Sequence, residues 1–67
     1  MRTRLVLKEL LEQKKISQSK LSRMADVSLN TIQDMTHKPY VDARINTLVR
    51  LAKALGVQVT DLFVVED

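Results

Sequence analysis

Apolar side chains recur at Leu7, Leu10 and Leu11, the spacing of a helix stripe, with Lys8, Glu9, Glu12, Gln13, Lys14 and Lys15 around them. The pattern predicts a first helix over about Val6 to Lys14. Ser17 then offers an N-cap oxygen, and Ile16 before it is placed to pack against Leu21 as a hydrophobic staple, so a second helix is expected over about Gln18 to Ala25. The same device recurs eleven residues later: Ser28 is the cap and Val27 staples to Ile32, which predicts a third helix over about Leu29 to Met35. Only Asp26, Val27 and the cap separate the two helices, so they must cross steeply. Asp26 falls at the reversal, and Asp is among the few residues other than Gly that tolerate positive φ.

Residues 36 to 42 carry no stripe, and Pro39 cannot continue a helix, so an exposed loop is expected there. Leu48, Leu51, Ala52 and Leu55 restore the i, i+3, i+4, i+7 pattern, and Gly56 stops it as the C′ residue. Asp42 and Asn46 are alternative caps for the start of this fourth helix. Thr60 is read as the cap of a last short helix carrying Leu62 and Phe63. Val64 and Val65 suit an extended segment better, able to pair with Arg4, Leu5 and Val6 in a small two-stranded ribbon. The expected fold is all-α, a compact bundle of four or five short helices in a single domain over residues 1–67.

Composition narrows what such a bundle does. A chain of 67 residues has room for one core, and at this size only about 60% of the unfolded surface is buried, so small domains take a staple. With no Cys and one His, neither a disulfide nor a metal site is expected, which leaves a partner subunit. No run approaches the roughly 20 apolar residues of a membrane span, and the charged N-terminus does not read as a secretory signal, so a cytoplasmic protein without membrane contact is expected. All eleven Lys and Arg lie in residues 1–53 with five acids, a balance of +6, whereas residues 54–67 hold three acids and no cation, −3. A polyanion is drawn to the first part and repelled by the second. Tyr40 and Phe63 are the only aromatic residues, too few for the stacking platforms that read single strands, so duplex DNA is favoured. A lone His37 in a loop, with no Cys, no Gly-rich phosphate loop and no paired carboxylates on one face, offers no nucleophile–base–orienter set, so no enzyme, cofactor or small-molecule substrate is expected.

Counted from Gln18, the residues at +3 (Leu21), +7 (Ala25), +9 (Val27), +14 (Ile32) and +17 (Met35) are all apolar, as holding one helix across another requires. Met24 lies beside this stripe and is read as core. In this arrangement the chain resembles the Cro and phage-repressor type of helix-turn-helix proteins, often called the Xre family. The resemblance rests on 16–21 and 27–32 as the openings of helices two and three, and on 47–57 with Asp61, Leu62 and Phe63 as helices four and five. Departures are local: Ser22 stands where the family usually has Ala, Asp26 where it has Gly, and Thr36-His37-Lys38 where it often has Glu-Asn-Gly.

The resemblance implies that helix three lies in the major groove with Leu29, Asn30 and Asp34 toward base edges. Asn30 suits adenine, Leu29 a thymine methyl and Asp34 cytosine N4, the alternative for Asp34 being a surface acid that pairs with Lys38 one turn on. Gln18 and the backbone N–H groups at the start of helix two would grip phosphate, with Ser28, Thr31, Gln33, Lys38 and Arg44 as further donors; Ser28 is a cap before it is a ligand. One half-site is too short to single out an operator, so two copies are expected to pair. Val49, Val59, Phe63, Val64 and Val65 are the expected homodimer interface, with Phe63 shared with the core. The expected function is a sequence-specific, homodimeric repressor; the alternatives are an antitoxin or adaptor that uses the C-terminal apolar surface, or a structural protein of a mobile element.

Overall fold

The computed structural model describes all residues, 1–67. Strand β1 (Arg2–Leu5) leads into helices α1 (Leu7–Lys14), α2 (Gln18–Ala25), α3 (Leu29–His37) and α4 (Ile45–Leu55). A single 3-10 turn, Val59–Leu62, and strand β2 (Phe63–Glu66) complete the chain. One cluster of thirteen buried apolar residues joins every element except β2, with Leu7, Leu21, Ile32, Leu51 and Leu62 fully enclosed. Ile16, Val59 and Phe63 pack on its margin.

The helix boundaries follow from local chemistry. The Ser17 hydroxyl accepts from the Lys20 N–H at 3.1 Å and Ser28 from the Thr31 N–H at 3.2 Å, so both expected caps are in place. The stapled residues Leu21, Val27 and Ile32 are buried in the core, with Ile16 half-buried beside them. Helices α1, α2 and α4 each end on a left-handed residue: Lys15 at φ 57°, Asp26 at φ 54° and Gly56 at φ 70°. Asp26 therefore adopts the turn conformation for which the family usually uses Gly.

Several boundaries differ from the sequence reading. Helix α3 continues to His37, and Thr36 is buried within it rather than exposed in a loop. The reason is that Pro39 restrains its own φ and the residue before it: Lys38 is the first residue to leave the helix, at φ −124°. Helix α4 starts after Arg44, with neither Asp42 nor Asn46 as cap and no side-chain cap at all. Gln58, not Thr60, caps the last turn, where Asp61 accepts from the Gln58 N–H at 2.9 Å, and Phe63 already belongs to β2. Met24 is 46% exposed rather than core, lining an open surface cleft with Arg50, Lys53 and Ala54 of α4.

The ribbon is antiparallel, pairing Arg2 with Glu66, Thr3 with Val65, Arg4 with Val64 and Leu5 with Phe63. It thus starts two residues earlier than expected and leaves Val6 to head α1. Leu5 donates its N–H outward to the Pro39 carbonyl at 2.7 Å, which binds the loop after α3 along the outer edge of β1. Glu66 accepts from Arg4 Nε at 2.9 Å and from the Tyr40 hydroxyl at 2.8 Å, with Arg2 Nε at 3.5 Å. The Arg2 guanidinium stands 4.0 Å from the centre of the Tyr40 ring. The basic body and acidic tail of the sequence are consequently not separated in space, since the tail's Glu66 sits on two arginines of the body.

The Tyr40 hydroxyl is the largest influence on Glu66 and, with Arg4 and Arg2, holds its carboxyl below the ordinary value of 4.5; the same bond raises the Tyr40 hydroxyl. A depressed carboxyl stabilises the fold above its unfolded pKa and loses that contribution as pH falls through the folded one. The difference in thermal midpoint between wild type and Glu66→Gln should therefore be full at neutral pH and shrink once the pH passes below the ordinary carboxyl value. A Cβ on Gly56 would meet no atom within 4 Å, so Gly56→Ala tests backbone conformation alone. It should cost about 1 kcal/mol in urea unfolding, whereas Lys15→Gly should gain about 0.5 kcal/mol.

Candidate nucleic-acid interface

Helices α2 and α3 meet through a turn held from three sides. The Ser22 hydroxyl donates to the Val27 carbonyl at 2.7 Å, and the Val27 N–H returns to the Ser22 carbonyl at 3.2 Å. Arg50 of α4 donates Nη1 to the Asp26 carbonyl at 3.2 Å. An Ala at position 22 would lack the first of these bonds, so this departure from the family pattern fastens the turn. Beneath it Leu21, Ala25, Val27, Ile32 and Met35 are buried, all five positions that the spacing picked out.

The exposed side of this unit carries the expected contact residues. Asn30 is exposed in the first turn of α3, with Leu29 half-buried before it. Asp34 is exposed one turn further on, beside a cleft that it lines with Thr31, Arg44 and Thr47. The alternative Asp34–Lys38 ion pair does not form: the Lys38 N–H donates to the Asp34 carbonyl at 2.7 Å, and the side chains make no salt bridge. Apart from Arg2 and Arg4, no Lys or Arg forms an ion pair, so Lys38, Arg44 and Arg50 keep their charge available to a ligand.

Helix starts supply the other donors. The Ser17 cap engages only the Lys20 N–H, which leaves the N–H groups of Gln18 and Ser19 without an acceptor in the protein. Helix α4 has no side-chain cap, so the N–H groups of Ile45, Asn46 and Thr47 are equally free. They open near a cleft lined by Asp26, Ser28, Thr31, Arg44, Asn46 and Arg50. The start of α2 therefore lies at the last turn of α3, through Gln18 and Thr36, and the start of α4 beside its first turns, and positive helix ends of this kind suit phosphate.

Some expected donors are already engaged. Gln18 donates Nε2 to Thr36 Oγ1 at 3.3 Å, and Thr36 donates in turn to the Gln33 carbonyl at 2.9 Å. This chain ties the start of α2 to the last turn of α3 and fixes where the Gln18 amide lies, leaving it one further N–H to give. Ser28 caps α3 and shares a 3.1 Å hydrogen bond with the Thr31 hydroxyl. Sequence reasoning missed Thr36, Arg50 and the uncapped start of α4. Their roles depend on partners from other elements, and no local spacing signals them.

Of the expected interface residues, Val49 on α4 and Val64 and Val65 on β2 are exposed, whereas Val59 and Phe63 lie half-buried against the core. Val64 and Val65 point to opposite faces of the ribbon, as neighbours in a strand must. Ile45, 72% exposed, extends the apolar surface of α4 without any signal in the helix stripe.

Two capped helices crossing at a pinned left-handed turn, with the second exposing Asn30 and Asp34, define a helix-turn-helix protein. The chain matches the Cro/C1-type helix-turn-helix DNA-binding domain over residues 6–67 and belongs to that family. No curated protein matches it in sequence. No helix is long and apolar enough to cross a membrane.

Thr36→Val keeps the shape of the side chain and removes both of its hydrogen bonds. Chemical denaturation should register a loss of about 1 kcal/mol, together with faster exchange of the Gln18 side-chain amide protons by NMR.

Proposed function

We propose that this protein is a sequence-specific regulator of transcription that binds duplex DNA as a homodimer and represses by occupying its site. The observation that supports the reading is that Asn30 is exposed at the start of α3, after a half-buried Leu29, on a helix whose first turns line a cleft with Arg44 and Asn46 at the start of α4 and whose last turn is tied to Gln18 at the start of α2. In this reading α3 enters the major groove. Asn30 bonds the N6 and N7 edge of adenine, Leu29 covers a thymine methyl, and Asp34 accepts from cytosine N4. Gln18, Ser28, Thr31, Gln33, Lys38 and Arg44 hold phosphates and set the register.

Nine residues of α3 span about 13 Å, roughly four base pairs at 3.4 Å each, which is too little sequence to specify an operator. A second copy one turn of DNA away doubles it. The reading needs no cofactor and no catalytic step, treats residues 1–67 as one DNA-reading unit, and places it in the cytoplasm with the chromosome. The exposure of Val64 and Val65 also favours a second reading, an antitoxin or adaptor whose C-terminal surface meets another protein. A purified chain that dimerises by itself favours the first.

Selection of bound duplexes from a random pool should return a palindrome with half-sites about one DNA turn apart. Affinity for it should fall steeply with added salt as phosphate contacts release counterions. Asn30→Ala should relax the preference at one base pair per half-site, costing about 1–3 kcal/mol, while Lys38→Ala should weaken all sequences alike. A salt-independent affinity, or a pool that yields no preferred duplex, would overturn the proposal.

A further inference from the structure

The loop between α3 and α4 begins at Lys38 and ends at Arg44, and it is fastened more firmly at its start than at its end. The Lys38 N–H closes the last turn of α3 on the Asp34 carbonyl at 2.7 Å, and the Val41 N–H returns to the Lys38 carbonyl at 3.0 Å. The Pro39 carbonyl takes the Leu5 N–H of β1 at 2.7 Å. Beyond Val41, neither Asp42 nor Ala43 makes a backbone hydrogen bond, and α4 opens after Arg44 without a side-chain cap. Side chains hold this stretch instead: Ala43 packs on the core, and Tyr40 docks on the ribbon. Both strands receive Tyr40. The Arg2 guanidinium of β1 covers its ring at 4.0 Å, and Glu66 of β2 accepts its hydroxyl on Oε1 at 2.8 Å. Arg4 Nε holds the other carboxylate oxygen at 2.9 Å, so the acceptor that meets Tyr40 is itself fixed from β1.

Resting on the phosphate role given above to Lys38 and Arg44, we infer that Tyr40 and Glu66 are positioning residues for DNA binding: the ribbon holds the loop so that the cations at its two ends meet the backbone of a duplex together. Charge alone gives Glu66 the opposite role. A free carboxylate repels a polyanion, and removing it then tightens binding. Glu66 is instead neutralised where it stands, by Arg2 at 3.5 Å and Arg4 at 2.9 Å, while Lys38 and Arg44 form no ion pair. Its remaining effect is geometric and passes through Tyr40 to the loop. A contact that orders the loop in the free protein removes freedom that binding must otherwise remove, so affinity rises although neither residue touches DNA. Phosphates carry no sequence, and the gain is therefore the same on every duplex. Asn30 lies on α3, whose direction is set at Asp26, so base preference does not depend on Tyr40 or Glu66.

Tyr40→Phe removes the hydroxyl, keeps the ring beside Arg2 and changes no charge. Titrated at fixed salt, and at a temperature where circular dichroism shows the fold complete, it should weaken binding about fivefold, as the loss of one ordering hydrogen bond implies. The loss should be equal on a duplex of random sequence and on the duplex returned by selection. Glu66→Ala should weaken binding as well, in spite of the negative charge it removes, and adding Tyr40→Phe to it should weaken binding no further. Glu66→Gln keeps a carbonyl that accepts from Tyr40 and should bind at least as tightly as wild type. NMR order parameters of residues 40–44 should fall in Tyr40→Phe while those of α2 and α3 stay. Unchanged or tighter binding in Tyr40→Phe or Glu66→Ala, or a loss confined to the selected duplex, overturns the positioning role while leaving a DNA-binding regulator intact. If Lys38→Ala and Arg44→Ala both keep wild-type affinity and salt dependence, the phosphate reading itself fails.

Discussion

The turn between α2 and α3 is the constraint on which the rest depends. Three residues must reverse the chain and set one helix across the other, and they do so with Asp26 in the left-handed region at φ 54°. That conformation is unfavourable for a residue bearing a Cβ, and it persists because its surroundings over-determine it. Ser22 fastens the Val27 carbonyl, Arg50 fastens the Asp26 carbonyl, and the side chain of Val27 is drawn into the core. The direction of α3, and so the position of Asn30, is inherited from this arrangement.

A small core makes such cross-links matter. Thirteen apolar residues are buried, and among polar side chains only Thr36 joins them, satisfied by the Gln33 carbonyl and by the Gln18 amide. The three short helices α2, α3 and α4 are thereby coupled: α2 to α3 through Gln18 and Thr36, and α4 to the turn through Arg50. The helix starts of α2 and α4 stay open toward solvent, where a capping side chain at α4 would have closed one of them. Electrostatics follows the same division. Arg2 and Arg4 are spent on Glu66, while Lys38 and Arg44 form no ion pair and Arg50 gives its guanidinium only to the Asp26 carbonyl.

Much of the fold was legible because its signals are short-ranged. The stripes of α1 and α4, the caps at Ser17 and Ser28, their staples, and the stop at Gly56 each depend on residues within about five positions of one another. The errors share a different origin. Met24 sits beside an apolar stripe yet faces Arg50 and Lys53; Thr36 follows the last expected helical residue yet is buried; Thr60 has the chemistry of a cap, but Gln58 and Asp61 close the turn. In each case the deciding partner, or the one missing, lies on another element or in a turn type that the hydrophobic period does not distinguish.

By itself the sequence determined which segments coil, where they begin and end to within a few residues, and that two of them form a helix-turn-helix with Asn30 at its exposed start. These outcomes rest on backbone sterics and hydrogen bonds closed within a single turn, which any window of a few residues contains. Only the tertiary structure decided that Gln18 is held by Thr36, that Glu66 neutralises Arg2 and Arg4 from the far end of the chain, and that Pro39 covers one edge of the ribbon while β2 keeps its own edge open. Those contacts join residues 18 to 64 positions apart, and their geometry exists only once the core has brought the elements together.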